Sequence, residues 1–311
     1  MIINTINSVF LELTTRCNLW CLKCPNRFAF GAGSDIPEDT LRYILFTALK
    51  SFTGQIILAT GEPCLCVDYL QLLHQWTEKK EGRKVTVFTN GSLLINVPKE
   101  ILKSPKFTFV VSLDGISAST ATLQKGLNIK SLLRNIIELR KHKTIRNLSL
   151  NFTVHKLMLK DIEKIFHFAM KVGLKEIYFT PLLNFNFPNK DIIKKLQLNN
   201  TEFRVLKKQL KILSQEHGIN YSLGTNRHCK SRRPIFRVDG KVSICEGTDG
   251  IYELELSNSI LERIYSFKIP KEICKICIKK DTNKGYIRKL PVRISKNINQ
   301  AKKRTSKEYP I

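Results

Sequence analysis

Three cysteines fall within eight residues in the stretch TTRCNLWCLKCPN, residues 14–26: Cys17, then Cys21 after three residues, then Cys24 after two. The chain holds nine cysteines in all, an odd number gathered in short spacings, which argues for metal ligation over disulfides. Zinc takes four ligands in paired spacings, so three thiolates leave a structural zinc site one ligand short. A 4Fe-4S cluster also prefers four cysteines. With three, one iron keeps an open coordination position, which is useful where that iron must bind a substrate. Four more cysteines lie far along the chain: Cys229 and Cys245, fifteen residues apart, then Cys274 and Cys277, two residues apart. Taken alone that spacing is also close to a zinc ribbon.

The elements that must position these residues alternate along residues 8–180. Short β-rich runs at 8–13, 55–59, 84–90, 107–115, 148–154 and 176–181 read as six strands. Between them, residues 36–52, 67–80, 129–142 and 159–173 repeat apolar side chains three and four apart, as helices do, and 97–104 is a shorter candidate. Such alternation predicts parallel βα units, in a doubly wound sheet or a barrel, with function at the carboxyl ends of the strands. A polar loop is expected at 184–191, a connecting helix at 201–218, and a hairpin at VDGKVSIC, 238–245, where Gly240 turns the chain back between Cys229 and Cys245. Residues 225–280 then read as a small metal-stapled unit.

CxxxCxxC directly after a first β-strand resembles the hallmark of the radical S-adenosylmethionine family, and Cys17, Cys21 and Cys24 match it residue by residue. Further motifs follow in the family's order. Thr60–Pro63, TGEP, resembles the GGEP motif that binds the methionyl amino group, so Thr60, Gly61 and Glu62 are implied cofactor contacts. Asn90 of TNG, Ser112 and Asp114 of SLDG, and Lys125 after Gln124 fall where the resemblance places residues near the cofactor; Lys125 would pair with its carboxylate as a point charge. Two positions depart from the pattern: Lys23 stands where the family has an aromatic residue before the third cysteine, and Thr60 replaces the first Gly of GGEP.

The resemblance implies an α/β fold, a partial (β/α)6 TIM-like barrel open at one side, whose cluster with an open iron chelates S-adenosyl-L-methionine. The last four cysteines are similar to the twitch domain, the shortened SPASM extension, which implies an auxiliary 4Fe-4S cluster held by Cys229, Cys245, Cys274 and Cys277. The expected division is residues 1–222 for the barrel with its connecting helix, 223–280 for the twitch domain, and 281–311 for a basic, flexible tail.

Cys64 and Cys66, just past TGEP, read either as small buried hydrophobes or as catalytic thiols that donate a hydrogen atom to a substrate radical or hold it. Asp114, His155 and Tyr178 are general-base candidates by their strand-end positions, with Asp114 the one placed among the catalytic residues. His74 lies on an amphipathic helix and receives no role.

Charge and hydropathy bound the setting. The net charge is +26, from 52 Lys and Arg against 26 Asp and Glu, spread along a Lys-rich chain; Lys279–Ile311 alone has 11 basic residues against Asp281 and Glu308. A nucleic-acid partner for that tail is an open alternative. No apolar run nears the roughly 18 residues that span a bilayer, and no signal peptide precedes the first strand, so the chain reads as cytoplasmic. The function expected is a radical oxidoreductase that dehydrogenates a small sugar- or cyclitol-like metabolite, fed by an electron donor such as flavodoxin or ferredoxin. The first strand begins near residue 8, which leaves no room ahead of it for a leader-peptide-binding domain and tilts the expectation away from a peptide. Crosslinking or epimerisation of a ribosomally made peptide is the alternative; a non-catalytic iron-sulfur or zinc protein that binds partners is another, of a different class.

Overall fold

A computed structural model describes residues 6–24, 33–182, 190–224, 233–244 and 253–266. All six expected strands are present and parallel: β1 (Ser8–Leu11), β3 (Gln55–Leu58), β4 (Lys84–Thr89), β5 (Phe107–Leu113), β7 (Leu148–Val154) and β8 (Glu176–Pro181). A two-stranded ribbon, β2 (Trp20–Cys21) with β6 (Gln124–Lys125), stands apart from them.

Each strand sorts its side chains by period two. One face carries Val9, Leu11, Ile56, Leu58, Val85, Val87, Phe107, Phe109, Val111, Leu150, Phe152, Ile177 and Phe179, all essentially buried. They share one core with helix residues: Leu70, Leu73 and Trp76 of α2 (Val67–Glu78), Leu132 and Ile136 of α4 (Ile129–Lys141), Ile162, Ile165 and Phe166 of α5 (Ile162–Lys171), and Leu206 and Leu210 of α7 (Asn200–His217). The opposite face is mixed: Phe10, Ile57, Phe88 and Val110 lie toward the first strands, and Thr86, Ser112, Asn151, Thr153, Tyr178 and Thr180 add polar groups, most of them at β5, β7 and β8. There Asn151 is in register with both Ser112 and Tyr178, and Thr153 with Thr180. A sheet covered by helices on both faces would be apolar on both. Here the second face gathers polar side chains across β5, β7 and β8.

The helices begin and end where local chemistry allows. α1 (Glu38–Tyr43) runs on as a π-helical turn over Ile44–Ala48, inside the predicted 36–52. α3 (Lys99–Lys103) confirms the short candidate. Asn128 caps α4, its side chain accepting from Ser131 N at 3.1 Å, and α7 opens on an Asn199–Glu202 capping box and closes at Gly218 in the left-handed region.

Three features differ from expectation. α6 (Lys190–Leu196) begins inside the stretch read as a polar loop. β9 (Asn220–Leu223) adds a seventh parallel strand beside β8, and the expected boundary after residue 222 falls within it. The VDGK hairpin forms, joining β10 (Ile235–Phe236) to β11 (Lys241–Ser243), yet it does not fold away as a separate sheet. β10 pairs parallel with β1, and β12 (Glu253–Glu255) follows β11, so the described part of the cysteine-rich segment extends the barrel sheet. An unpaired β1 edge offers free backbone N–H and C=O groups, and the hairpin satisfies them. α8 (Ile260–Ser266) ends the described chain.

Candidate cluster and cofactor site

The cysteine loop leaves β1 at the carboxyl edge of the sheet and is fixed at both ends. Upstream, Arg16 forks onto Asp35, with Nε 2.8 Å from Oδ1 and a second bond from the guanidinium to Oδ2, and Thr14 Oγ1 donates to the same carboxylate at 2.6 Å. The TGEP loop packs against this segment. Glu62 N donates to Arg16 O at 2.8 Å, and Gly61 sits at φ +61°, where a Cβ would lie 2.5 Å from both the Thr14 and the Arg16 carbonyl oxygens. Only glycine fits there. Downstream, Cys21 is paired with Gln124 and Trp20 with Lys125 in the β2–β6 ribbon. Gln124 in turn donates to Ser112 O at 2.8 Å and accepts from Asp114 N at 3.0 Å, which ties the loop to the end of β5. Asn90 reaches the loop too, donating to Asn18 Oδ1 at 2.8 Å with its amide 3.9 Å from Cys17 Sγ.

Cys17 is exposed and Cys21 and Cys24 are half-buried; all three thiols are free. Burial pushes the Cys17 thiol up, and burial with the nearby Asp114 charge pushes Cys21 up to about 12. Both shifts favour the thiol form, and a bound metal centre would favour the thiolate. Among the described residues no three Cys, His, Asp or Glu side chains close on a single ion, although these three cysteines are near enough to feel one another's charge. An all-sulfur donor set with no fourth ligand among the described residues fits a cluster with one open iron better than a four-coordinate zinc.

Glu62 is 1% exposed and its carboxylate is already engaged: Oε1 accepts from Cys64 N at 3.1 Å and Thr89 Oγ1 at 2.7 Å, and Oε2 from Asn90 N at 2.7 Å. Burial raises its pKa against the pull of those donors. The side chain thus clamps the loop after β3 to the end of β4. Thr60 Oγ1 makes a long contact, 3.4 Å, with Glu12.

At the ends of β5 and β7 lies a polar knot. Asp114, with 0% exposure, takes an ion pair at Oδ1 from Lys23, which also donates to Thr153 Oγ1. His155 is equally buried and its Nε2 donates to Asp114 O at 2.7 Å, so Nδ1 is the acceptor; burial depresses its pKa and keeps it neutral. Neither Asp114 Oδ2 nor His155 Nδ1 has a hydrogen-bond partner among the described residues. Tyr178 donates to Glu176 at 2.7 Å, a bond that with burial lifts its phenol to about 12, so it is no base near neutral pH. Ser112 is half-buried and Lys125 exposed.

Cys64 and Cys66 are both buried. Cys64 Sγ lies 3.6 Å from Thr89 Oγ1 and Cys66 Sγ 3.8 Å from Asp35 Oδ1; burial raises both thiols, Cys66 to about 11. Asp161, to which the sequence draws no attention, accepts from Ile116 N, Ser117 N and Ser117 Oγ, each at 3.0 Å, and from Thr120, and so shapes the loop between β5 and β6. Cys229, Cys245, Cys274, Cys277 and residues 281–311 lie outside the described residues.

With that geometry in hand, comparison with known proteins is decisive at the level of the family. The sequence profile of the Radical SAM superfamily matches residues 11–169, and the chain belongs to that superfamily, whose members bind a 4Fe-4S cluster and S-adenosylmethionine. Curated relatives include a probable GTP 3',8-cyclase of Methanocaldococcus jannaschii, 26% identical over 183 residues that cover 57% of this chain and 60% of the relative. Another is the Fe-coproporphyrin III synthase of Methanosarcina barkeri, 29% identical over 184 residues, 56% of this chain and 44% of the relative. A probable GTP 3',8-cyclase of Methanocella arvoryzae is 29% identical over 136 residues, 37% of this chain and 43% of its own. The chain therefore spans only about half the length of these relatives. Among solved structures, Streptococcus suis SuiB bound to S-adenosylmethionine superposes with a TM-score of 0.70 at 15% identity, over 87% of this chain and 68% of that one. Native anSMEcpe with AdoMet and the Cp18Cys peptide gives 0.69 at 15% identity, over 88% and 83%. These likenesses define the fold. Among the described residues no helix is long and apolar enough to cross a membrane.

Proposed function

We propose that Cys17, Cys21 and Cys24 hold the superfamily's 4Fe-4S cluster, and that S-adenosylmethionine lies across the carboxyl ends of the strands among Thr60, Gly61, Asn90, Ser112, Asp114 and Lys125. The observation that carries this reading is that one loop bears three free thiols and is tied by separate hydrogen bonds to the ends of β4 and β5. When bound, the cluster supplies an electron to S-adenosylmethionine, and the 5'-deoxyadenosyl radical released removes a hydrogen atom from a substrate carbon. The chain's own residues do the rest. Gly61 and Glu62 hold the cofactor loop against the cysteine loop, and the polar sheet face gives a substrate hydrogen-bonding partners. Asp114 Oδ2 and His155 Nδ1 are buried acceptors ready for a donor group. Burial makes Cys64 and Cys66 packing residues in this reading, so neither is assigned the radical.

The substrate we infer is a small anionic metabolite, phosphorylated or nucleotide-linked. A net charge of +26 favours it, as do relatives named for GTP. None of the relatives above is named for oxidising a sugar or cyclitol, so dehydrogenation rests on the far cysteines alone. If Cys229, Cys245, Cys274 and Cys277 form a twitch site, an auxiliary cluster there would accept the substrate's electron; a zinc there would leave the reaction redox-neutral. A peptide substrate is the second reading, favoured by the peptide bound in anSMEcpe, whose fold this chain shares. A cytoplasmic setting and a flavodoxin or ferredoxin donor belong to the same proposal.

The test is anaerobic reconstitution with iron, sulfide and zinc analysis, for the wild type and for Cys17, Cys21 and Cys24 changed together to Ala, followed by 5'-deoxyadenosine formation under dithionite. About eight irons falling to about four supports two clusters; about four falling to none, with one zinc, supports the radical site alone. A wild type that binds no iron, or that binds it without cleaving S-adenosylmethionine, overturns the reading.

A further inference from the structure

Lys23 lies inside the CxxxCxxC loop, yet its side chain turns inward, away from the solvent a lysine normally seeks. Its ammonium reaches across to the ends of two strands, meeting Asp114 after β5 and Thr153 of β7, and only 16% of the side chain is exposed. The carboxylate it meets is wholly buried. Asp114 would otherwise be an isolated buried charge, a state proteins avoid. The contact also bridges elements far apart in sequence, 91 residues for Asp114 and 130 for Thr153, so it fastens the stretch between Cys21 and Cys24 directly to the sheet.

The pair stands beside Cys21: Lys23 follows it by two residues, and Asp114 N donates to Gln124, the residue in register with Cys21 in the β2–β6 ribbon. Together they present a dipole; singly, either would present a net charge in a region of low dielectric.

We infer that Lys23 is a positioning residue of the cysteine loop, and that its pairing with Asp114 keeps the charge beside Cys21 balanced and so helps to set the reduction potential of a cluster held there. The inference rests on the reading that Cys21 is a cluster ligand. It makes two consequences separable. The mechanical one is that loss of either partner loosens the loop. The electrostatic one is that Asp114→Asn leaves the ammonium uncompensated beside a negatively charged centre, which makes an added electron easier to accept and moves the potential upward. Removing both charges, Lys23→Met with Asp114→Asn, restores a neutral neighbourhood and returns the potential toward wild type without restoring the tether.

The experiment uses the reconstituted full chain. Iron release to bathophenanthroline under dithionite is followed for the wild type, Lys23→Met, Lys23→Arg, Asp114→Asn and the double variant, and the potential of each cluster is read by redox titration monitored by electron paramagnetic resonance. Melting of each apoprotein reports whether the fold survives. The expected result is iron release several-fold faster in Lys23→Met, Asp114→Asn and the double variant, and near wild type in Lys23→Arg. The potential rises in Asp114→Asn and falls back in the double variant. A wild-type potential in Asp114→Asn, or iron held as firmly in Lys23→Met as in wild type, overturns this inference alone. A wild type whose iron does not depend on Cys17, Cys21 and Cys24 overturns the parent reading and this inference with it.

Discussion

Replacing Gly61 by Ala tests whether the TGEP loop and the cysteine loop form one packed unit. Two terms oppose the new methyl group. Gly61 has φ +61°, and a left-handed backbone costs an L-residue about 1–2 kcal/mol. The Cβ would then stand 2.5 Å from the carbonyl oxygens of Thr14 and Arg16, nearly 1 Å inside the ordinary contact distance of about 3.4 Å. Both oxygens belong to backbone and cannot swing aside, so the loops must separate, at a further cost of about 1–3 kcal/mol by analogy with overpacked cores. The sum is about 2–5 kcal/mol. At about 2–4 °C per kcal/mol, that lowers the melting temperature by roughly 10 °C. Gly218→Ala is the matched control, because Gly218 has φ +63° but no atom within 4 Å of the added Cβ, and it should show the left-handed term alone. The assay pairs thermal unfolding of the apoproteins with 5'-deoxyadenosine formation after reconstitution. Gly61→Ala should melt several degrees below Gly218→Ala and lose most of its cleavage, since the Glu62 N to Arg16 O bond of 2.8 Å breaks as the loops part. Equal melting temperatures for the two variants, with full cleavage by Gly61→Ala, would refute the reasoning.

Two further outcomes concern the frame around the site. Arg83, 3% exposed, donates to the carbonyls of Leu49, Lys50, Phe52 and Trp76 and lies 4.3 Å over the Trp76 ring, so Arg83→Ala strands four acceptors and should cost about 3 kcal/mol or more in urea unfolding; a loss within about 0.5 kcal/mol would contradict the geometry. Burial alone would raise the Asp161 carboxyl, but hydrogen bonds from Thr120, Ile116 and Ser117 outweigh it and hold the pKa below its usual 3.8. A depressed folded pKa stabilises the fold above the unfolded value and loses that stability as pH falls through the folded one. Wild type should therefore lose stability more steeply than Asp161→Asn below about pH 4, and parallel acid limbs would exclude the role.

The six parallel strands were legible because each is a short β-rich run between helical periodicities, a local signal. The cysteine motif was legible for the same reason. What escaped depends on partners distant in sequence. Nothing in IF at 235–236 announces pairing with Phe10 and Leu11, and a hairpin signal fixes which strands turn back but not which edge they join. Asp35, Asp161 and Gln124 escaped because their partners lie 19, 41 to 45, and 10 to 12 residues away, and a lone acid or amide carries no mark of its partner. Lys23 was noticed only as a departure from an aromatic residue; its contact with Asp114 needed the fold.

Glu62 illustrates how a motif residue can hold the loops of the site together through its own hydrogen bonds. Its resemblance to GGEP points to the methionyl amino group, while its hydrogen bonds run to Thr89, Asn90 and Cys64. Asp35 does the same between Arg16 and Thr14, and Asp161 among Ile116, Ser117 and Thr120, while Asp114 takes Lys23, which in turn donates to Thr153. These carboxylates tie together the loops at the carboxyl ends of the strands, Glu62, Asp35 and Asp161 each through at least two groups and Asp114 through Lys23 alone. Loops are ordinarily the mobile part of such a fold. Charge-assisted bonds restrain that freedom, most of all at the buried Glu62, Asp114 and Asp161, and groups held before a ligand arrives need not reorganise during the reaction. The described bonds thus make Glu62, Asp35 and Asp161 fasteners of these loops, while Asp114 Oδ2 and His155 Nδ1 keep an open acceptor position among the described residues.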